Sequence, residues 1–491
     1  MLLSYNMINM NKVRTRFCPS PTGYMHVGGV RTALFAWLIA RQNQGDFILR
    51  IEDTDKNREV EGSEKHIIES LKWLGIQWQE GPDMNGNYGP YRQSERLAIY
   101  RKWADKLLAS GRAYADPYTP DQTQKFREEA QKNKQPFLFR NHRPNSLDSE
   151  PPIWDGSMPL RFKSDPKAYT WSDEIMGELN TGPEVVDDFI IMKSDGFPTY
   201  NFAHIVDDAE MKISHIIRGQ EFISSMPNYL NLYKALDIEH PIFATVPHIL
   251  GPTGNKKLSK RDGAKDILDY RNEGYLPEAL VNFLVTLGWN DGTEDEIYDV
   301  DDLVKRFSLD RVQKSGARFD ERRLLWLNGA HIRNLSTEKL HKLTKKYWPK
   351  SSEVFEDDYK QRILQLIKER LKFFKEIPEL TEFFFSRPDF DQELISSNKQ
   401  LAKTENDILI KLLDKSINEL ENIEFDQATI KASLDKLLAE TGEKPAILLG
   451  IIRVAVSRWP SSPELAGSLA VIGKDESLAR LKEVMLKLSE R

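Results

Sequence analysis

Near its start, the chain shows first a strand-like and then a helical pattern of apolar residues. The run RTRFC at 14–18 predicts a short buried strand, and the apolar spacing over 30–42 predicts a helix that ends near Gly45. The run FILRI at 47–51 predicts a second strand. A strand, a helix and a strand at this spacing favour a βαβ unit in a parallel sheet, whose ligands lie at the carboxyl ends of the strands.

The pattern changes after this unit. Residues 61–74 and 94–110 have the amphipathic spacing of helices. From about 115 to 195, prolines, aspartates and short β-like runs predict an insertion with a small core of its own. Its strand candidates are PLRFK at 159–163 and VVDDFIIMK at 185–193.

Later apolar runs predict that the first sheet is completed after the insertion. We expect strands over 199–206, 213–217 and 242–247, with a helix over 226–236 between the last two. From residue 363 almost to the end, the apolar positions have helical spacing. Two predicted helix faces comprise Ile363, Leu366, Ile367, Leu371 and Phe374, and Leu409, Leu412, Leu413, Ile417 and Leu420.

Composition limits the class of protein. The 491 residues include 69 Lys and Arg against 75 Asp and Glu, a formal net charge of −6, and the length suffices for several cores. The single cysteine, Cys18, excludes an internal disulfide and a cysteine-built zinc site. No apolar run approaches the roughly 18–20 residues of a membrane span, so we expect a cytoplasmic protein. The acidic balance does not indicate nucleic-acid binding, but it leaves room for a tRNA-sized partner.

The segment 19–29 is a candidate phosphate-binding loop between the first predicted strand and helix. Backbone N–H groups at a helix start attract phosphate oxygens, and Gly28 and Gly29 let a nucleotide approach the main chain closely. His26 can donate a hydrogen bond to a triphosphate whose charge grows during attack at the α-phosphorus. Taken alone, the H-x-G-G motif more often marks an ordinary tight turn.

A second candidate is the basic segment KKLSKR at 256–261, with glycines on both sides. Four cations in six residues can close over phosphates and neutralise departing pyrophosphate. Taken alone, such a cluster is also compatible with a solvated surface patch.

Together, the two segments have the arrangement of class I aminoacyl-tRNA synthetases, in which a His-Gly loop is followed much later by a K-[LM]-S-K loop. The chain resembles the glutamyl-tRNA synthetase family over nearly its whole length. The matching segments are RFCPSPTGYMHVGGVRTALF at 16–35, RIEDTD at 50–55, KWLGI at 72–76, EGPD at 80–83, YRQSERLAIY at 91–100, GRAY at 111–114, GFPTYNFAHIVDD at 196–208, ISHIIRGQE at 213–221, KKLSKRDGA at 256–264 and ALVNFLVTLGW at 279–289.

This resemblance implies an α/β Rossmann-like catalytic domain with an α+β acceptor-binding insertion, followed by an all-α anticodon-binding region. The implied limits are 12–110 and 196–255 for the halves of the catalytic domain, 111–195 for the insertion, 256–330 for the basic-loop and stem-contact region, and 331–491 for the helical region.

The resemblance also implies ligation of L-glutamate to tRNA(Glu) through glutamyl-adenylate, with ATP and Mg²⁺ required and no protein nucleophile. Acceptance of tRNA(Gln) as well stays open. The implied catalytic residues are His26, Lys257 and Lys260. The residues implied in ATP binding are Pro19, Ser20, Thr22, Gly23, His26, Gly28, Gly29, Glu221, Leu250, Ser259, Lys260 and Arg261.

A glutamate substrate brings two carboxylates and an ammonium group, so its pocket should supply guanidinium groups and an acid. We expect Arg16 and Arg218 to meet the carboxylates, Arg16 the side-chain one, and Glu52 to help hold the ammonium. His204 stands where the family commonly has Asn or Val, which puts one contact in doubt. The glutamate-binding set carried over from the family is Arg16, Ser20, Glu52, Tyr200, His204 and Arg218.

Further expectations concern metals and the C-terminal region. The family's zinc knuckle after GRAY has no cysteine here, where the chain reads ADPY at 115–118, so we expect neither structural zinc nor a protein-held metal site. The basic and aromatic residues of 362–376, with Arg453, Arg458 and Trp459, suit an anticodon platform, although most of them could instead serve the core or a solvated face. A monomer is expected from the family.

Three alternatives are less favoured. Glutaminyl-tRNA synthetases typically read Pro-Glu-Pro-Asn where this chain reads PSPT at 19–22, and they usually carry β-barrel anticodon domains. Glutamyl-queuosine enzymes lack an anticodon domain, so the length of this chain argues against them. A non-catalytic tRNA-binding relic is disfavoured by the intact His26, Lys257 and Lys260.

Overall fold

A computed structural model describes residues 12–84, 86–144, 153–254, 256–259, 265–459 and 462–490. The chain forms two compact units. The first comprises Met1–Arg271 and Pro277–Glu321, and the second comprises Asn272–Leu276 and Arg322–Arg491. Among the described residues, no helix combines the length and apolar character needed to cross a bilayer.

All the described strands lie in the first unit. They are β1 Arg14–Phe17, β2 Asp46–Leu49, β3 Ala113–Ala115, β4 Leu160–Phe162, β5 Tyr169–Asp173, β6 Gly177–Thr181, β7 Phe189–Met192, β8 His215–Gly219, β9 Ile242–Val246, β10 Ile249–Leu250 and β11 Ala317–Arg318. The helices up to residue 306 are α1 Val27–Gln42, α2 Ser63–Trp73, α3 Leu97–Ala109, α4 Pro120–Lys132, α5 Tyr200–Glu210, α6 Met226–Leu236, α7 Ile267–Glu273, α8 Pro277–Thr286 and α9 Val300–Arg306.

The predicted βαβ unit is confirmed. β1 pairs with β2 in parallel, from Arg14 opposite Asp46 to Phe17 opposite Leu49, and α1 connects them. β8 and β9 form a second parallel pair. The backbone N–H of Ser214 donates to the carbonyl oxygen of Arg14 at 2.9 Å, which joins the start of β8 to β1. The carboxyl ends of these four strands therefore lie at one edge, where ligands of parallel sheets bind.

The insertion differs in one respect from the expectation. β3, β4 and β7 form an antiparallel sheet, whereas the hairpin of β5 and β6 extends the parallel sheet because β5 pairs with β9. The buried Leu160, Phe162 and Ile191 belong to the same apolar cluster as Phe202 and Leu232. The insertion therefore shares its core with the sheet region and does not have one of its own.

The predicted strand over 199–206 is wrong, because these residues enter helix α5. Seven consecutive residues of α5, from Phe202 to Asp208, are buried. A helix buried on every side shows no apolar periodicity. In the sequence, such a short buried helix therefore looks the same as a buried strand. The other strands and the helix predicted around this segment form as β8, β9 and α6.

The second unit is helical, as predicted. Its helices are α10 Glu321–Arg333, α11 Thr337–Thr344, α12 Asp357–Ile367, α13 Ile377–Phe385, α14 Glu393–Ser396, α15 Asn406–Glu421, α16 Gln427–Thr441, α17 Pro445–Ser457, α18 Leu465–Ile472 and α19 Lys474–Ser489. The predicted apolar face of α15 is buried. The face predicted from 363 to 374 is interrupted, because α12 ends at Ile367; Leu371 and Phe374 are buried beyond it, and Leu366 is half-buried.

Candidate active site

A cavity of about 310 Å³ lies at the carboxyl ends of β1, β8 and β9, next to the first turns of α1 and α5. It collects most of the residues that sequence patterns assign to ATP or glutamate. The predicted residues that line it are Arg16, Ser20, His26, Gly28, Gly29, Glu52, Tyr200, Arg218, Glu221 and Lys257. Pro19, Thr22, Gly23, His204, Leu250 and Ser259 do not line it, and Lys260 and Arg261 lie outside the described residues.

His26 caps helix α1. Its Nδ1 accepts a hydrogen bond from the N–H of Gly28 at 3.1 Å, and the helix begins at Val27, three residues before the predicted start. An accepting Nδ1 assigns the proton to Nε2, which is the nitrogen that can donate to a phosphate. A Cβ atom on Gly28 would stand 3.0 Å from the imidazole Cε1, so the glycine makes this cap possible.

The described part of the basic segment reaches the same cavity. The Nζ of Lys257 lies 3.2 Å from the Glu221 Oε1, and the Nδ1 of His248 lies 3.7 Å from the Glu221 Oε2. Backbone pairing of Leu250 with Lys257 holds the start of the segment against β10. His26 and Lys257, which are distant in sequence, therefore line one cavity.

A histidine on α2 connects the segment that follows the basic loop to the loop that carries His26. The Nε2 of His66 lies 2.7 Å from the Oδ1 of Asp266, and Asp266 pairs through its backbone with His26. The N–H of Ile267 also donates to the carbonyl oxygen of Met25 at 3.2 Å. These contacts fix the point at which α7 begins after the basic segment.

Two further residues that line the cavity, Arg16 and Glu52, belong to a buried network of charges. Arg16 donates to both carboxylate oxygens of Asp208, at 3.1 and 3.2 Å. Arg50 donates to Asp208 at 2.8 Å and to Glu52 at 3.0 Å. Burial would raise the pKa of Asp208, but the charges of Arg16 and Arg50 outweigh it and lower that pKa to about 2.

Glu52 responds differently to the same surroundings. Its burial raises the pKa of the carboxyl to about 7, although Arg50 and Arg16 act in the opposite direction. A carboxyl with this pKa can exchange its proton for a bound cation near neutral pH, which suits a group that holds a substrate ammonium.

Arg218 is buried without a carboxylate in its ion-pair range among the described residues. It lies over the rings of Phe222, Tyr229 and Phe243 at 5.6, 5.2 and 5.4 Å, and it contacts the sulfur of Met226. Burial lowers its pKa. A buried guanidinium surrounded by aromatic rings can bind a substrate carboxylate.

His204 is buried behind Tyr200 and does not line the cavity. Its Nδ1 lies 2.8 Å from the carbonyl oxygen of Tyr200, and its ring stacks on the Tyr200 ring at a centroid distance of 4.8 Å. Burial lowers the pKa of His204 to about 3, so the imidazole is neutral at physiological pH. In this arrangement it supports the Tyr200 ring.

Several residues of the site were missed by sequence reasoning. The acids Asp207 and Asp208 stand inside an apolar run, and Arg50 precedes Glu52 in the RIEDTD motif; charges in such positions are a signal of a buried network. The other missed residues on the cavity wall are Phe17, Cys18, Arg31, Thr32, Ile217, Gly219, Phe222, Val246, Pro247, His248 and Ile249.

Comparison with known proteins identifies the family and the fold. A sequence profile described as tRNA synthetases class I (E and Q), catalytic domain, matches residues 12–326, and an anticodon binding domain profile matches 339–485. The chain belongs to the class I E and Q tRNA synthetase family.

Relatives within this family match the chain from end to end. Curated glutamate–tRNA ligases of Dehalococcoides mccartyi and Clostridium tetani are each 40% identical over 487 residues, which is 98% of this chain and 98% and 99% of theirs. A crystal structure of a glutamate tRNA ligase from Elizabethkingia meningosepticum, in complex with its amino acid, is similar with a TM-score of 0.86. It is 34% identical and covers 97% of this chain and 100% of its own. The Rossmann-like catalytic fold with a helical anticodon domain is thereby confirmed.

Proposed function

We propose that the chain is an ATP-dependent ligase that joins L-glutamate to tRNA(Glu). The observation that carries the proposal is one cavity lined both by a capped helix N-terminus with Lys257 and by Arg218 with Glu52. The first group suits a triphosphate and the second suits an amino acid with two carboxylates. Membership in the E and Q synthetase family and full-length similarity to glutamate–tRNA ligases support it.

In the first step, an oxygen of the substrate α-carboxylate attacks the α-phosphorus of ATP, and the bond to the departing diphosphate breaks. Arg218 and Arg16 orient the carboxylates, and Glu52 holds the ammonium group. His26 donates from Nε2, and Lys257 neutralises charge on the phosphates as it develops. Positioning and charge stabilisation carry this step, so no protein nucleophile is required.

In the second step, a terminal ribose hydroxyl of tRNA attacks the activated carbonyl carbon and AMP departs. Mg²⁺ would accompany ATP, whose phosphate oxygens are the kind of ligand that this cation prefers. Its ligands would be phosphate oxygens and water, and it would supply charge neutralisation. The family relationship also supports a cytoplasmic location and a monomeric state. Sedimentation of the purified protein checks the monomeric state.

Glutamate-dependent exchange of labelled diphosphate into ATP, measured with tRNA(Glu) present, tests the first step. Aminoacylation of purified tRNA(Glu) tests the second. We expect both activities with glutamate and neither with glutamine. A parallel reaction with tRNA(Gln) shows whether the enzyme also charges that acceptor. Absence of glutamate-dependent exchange in well-folded protein would refute the proposal.

A further inference from the structure

Arg31 is a buried arginine in the wall of the cavity to which sequence analysis assigns no role. It belongs to α1, one turn beyond Val27, and only 4% of it is exposed. Side chains of a helix lean toward its N-terminus, so Arg31 leans over the turn that carries His26 and Gly28. It lines the same cavity as these two residues.

Among the described residues, the guanidinium group of Arg31 donates hydrogen bonds to neutral groups only. Its Nη1 donates to the carbonyl oxygen of Leu287 at 3.0 Å, and its Nη2 donates to the carbonyl oxygen of Pro247. No described carboxylate forms an ion pair with it. Burial alone lowers its pKa to about 10, so Arg31 still carries its charge at neutral pH.

Other buried arginines of the first unit behave differently. Arg16, Arg50 and Arg96 each form an ion pair with an aspartate. Burying a cation without a counter-ion is unfavourable, and an anionic ligand would remove that penalty. Arg218 is the other buried arginine of the cavity that has no described acid partner. It is assigned to the glutamate substrate.

Arg31 lies instead near cavity residues that are assigned to the nucleotide. Its charge acts on the imidazole of His248, whose pKa is lowered by burial, by Lys257 and by Arg31, against the effect of Glu221. His248, Glu221 and Lys257 line the cavity together with Arg31. Two cations and one acid therefore surround this part of the cavity, which favours an anion there. The fork of a guanidinium matches phosphate oxygens.

We propose that Arg31 binds the triphosphate of ATP, as a substrate-binding residue beyond the two signature loops. This inference rests on the proposed function, since it takes ATP as the substrate. In this arrangement the phosphate group supplies the negative charge that no described residue places beside Arg31. The two backbone carbonyls hold the guanidinium in position before the nucleotide arrives.

The test compares ATP with adenosine, which lacks phosphate. We expect Arg31→Gln, which keeps hydrogen-bond donors but removes the charge, to weaken ATP binding about tenfold and to leave adenosine binding within about twofold. In diphosphate exchange with tRNA(Glu) present, KM for ATP should rise similarly, with KM for glutamate unchanged. Arg31→Lys, which keeps the charge, should retain most of the preference for ATP over adenosine.

Arg41→Gln is the matched control, because Arg41 lies at the exposed end of the same helix. It should leave every one of these values unchanged. The proposal is overturned if Arg31→Gln lowers thermal stability but keeps the ATP-to-adenosine affinity ratio, or if KM for glutamate rises instead of KM for ATP. Because binding is measured without catalysis, an inactive wild type would refute the proposed function while leaving this comparison interpretable.

Discussion

Glu52 combines a catalytic-site position with a pKa of about 7, raised by burial. Below this pH the carboxyl of the free enzyme is protonated, and a protonated carboxyl does not pair with the substrate ammonium. The raised pKa therefore predicts that glutamate affinity falls about tenfold for each pH unit below 7 and is level above it.

Calorimetric titration of glutamate between pH 5.5 and 8.5 measures this dependence. Below pH 7, binding should also release about one proton per glutamate, because the ammonium displaces the proton of Glu52. Glu52→Gln is the control; its affinity should be weak at every pH and its proton release absent. A wild-type affinity that does not change over this range would contradict the role assigned to Glu52.

The residues of the site divide by the kind of signal they leave in the sequence. His26 and Lys257 lie in short local motifs, so they could be predicted. Arg31 lies in the largely buried helix α1. That no described acid pairs with it becomes visible only in the structure, where the carbonyl oxygens of Pro247 and Leu287 accept from its guanidinium group. The pairing of Arg16 with Asp208 joins residues 192 positions apart, which no local pattern encodes.

At the scale of elements, α5 shows why local patterns succeed in some segments and fail in others. The βαβ unit follows from alternating apolar runs and a Gly-rich connection, and it was predicted. α5 carries Asp207 and Asp208 among apolar residues. Both acids are fully buried and are paired with arginines in β1, directly after β2 and directly before α3. The helix is therefore held in place by tertiary charge pairing, which no local apolar pattern reports.

This pairing gives a stability prediction. Asp207 accepts from Arg96 at 2.7 Å, from Gln93 at 2.9 Å and from Tyr100 at 2.8 Å. Asp207→Asn would leave the buried Arg96 without a compensating charge, which should destabilise the first unit by about 3–5 kcal/mol. Chemical denaturation followed by tryptophan fluorescence measures the loss.

Asp105→Asn on α3 is the matched control for this substitution. Its ion pair with Arg101 is exposed, so its removal should change the unfolding free energy by about 0.5 kcal/mol or less. Equal effects of the two substitutions would show that the buried acid does not hold α5 against its neighbours.

At the scale of the whole molecule, the two units carry different chemistry. The cavity residues all belong to the first unit, whereas the basic and aromatic residues proposed for RNA recognition lie in the second. These residues of the second unit differ in whether their side chains are available to RNA. Arg458 is buried and donates to Glu483 at 3.0 Å, and Arg453 donates to the backbone of Ser462 at 2.9 Å, so both are engaged within the protein.

Trp459, beside them, is 42% exposed, which leaves part of an indole ring available to stack on an unpaired base. Trp459→Ala should raise KM for tRNA(Glu) in aminoacylation by about tenfold, since base stacking contributes about 1–3 kcal/mol. KM for ATP and glutamate should stay unchanged, because their cavity lies in the first unit. Leu486→Ala, an exposed aliphatic control on α19, should leave all three constants unchanged. Unaltered tRNA kinetics in the Trp459 variant would remove this residue from the RNA-binding surface and leave exposed lysines and arginines of the second unit as its contacts.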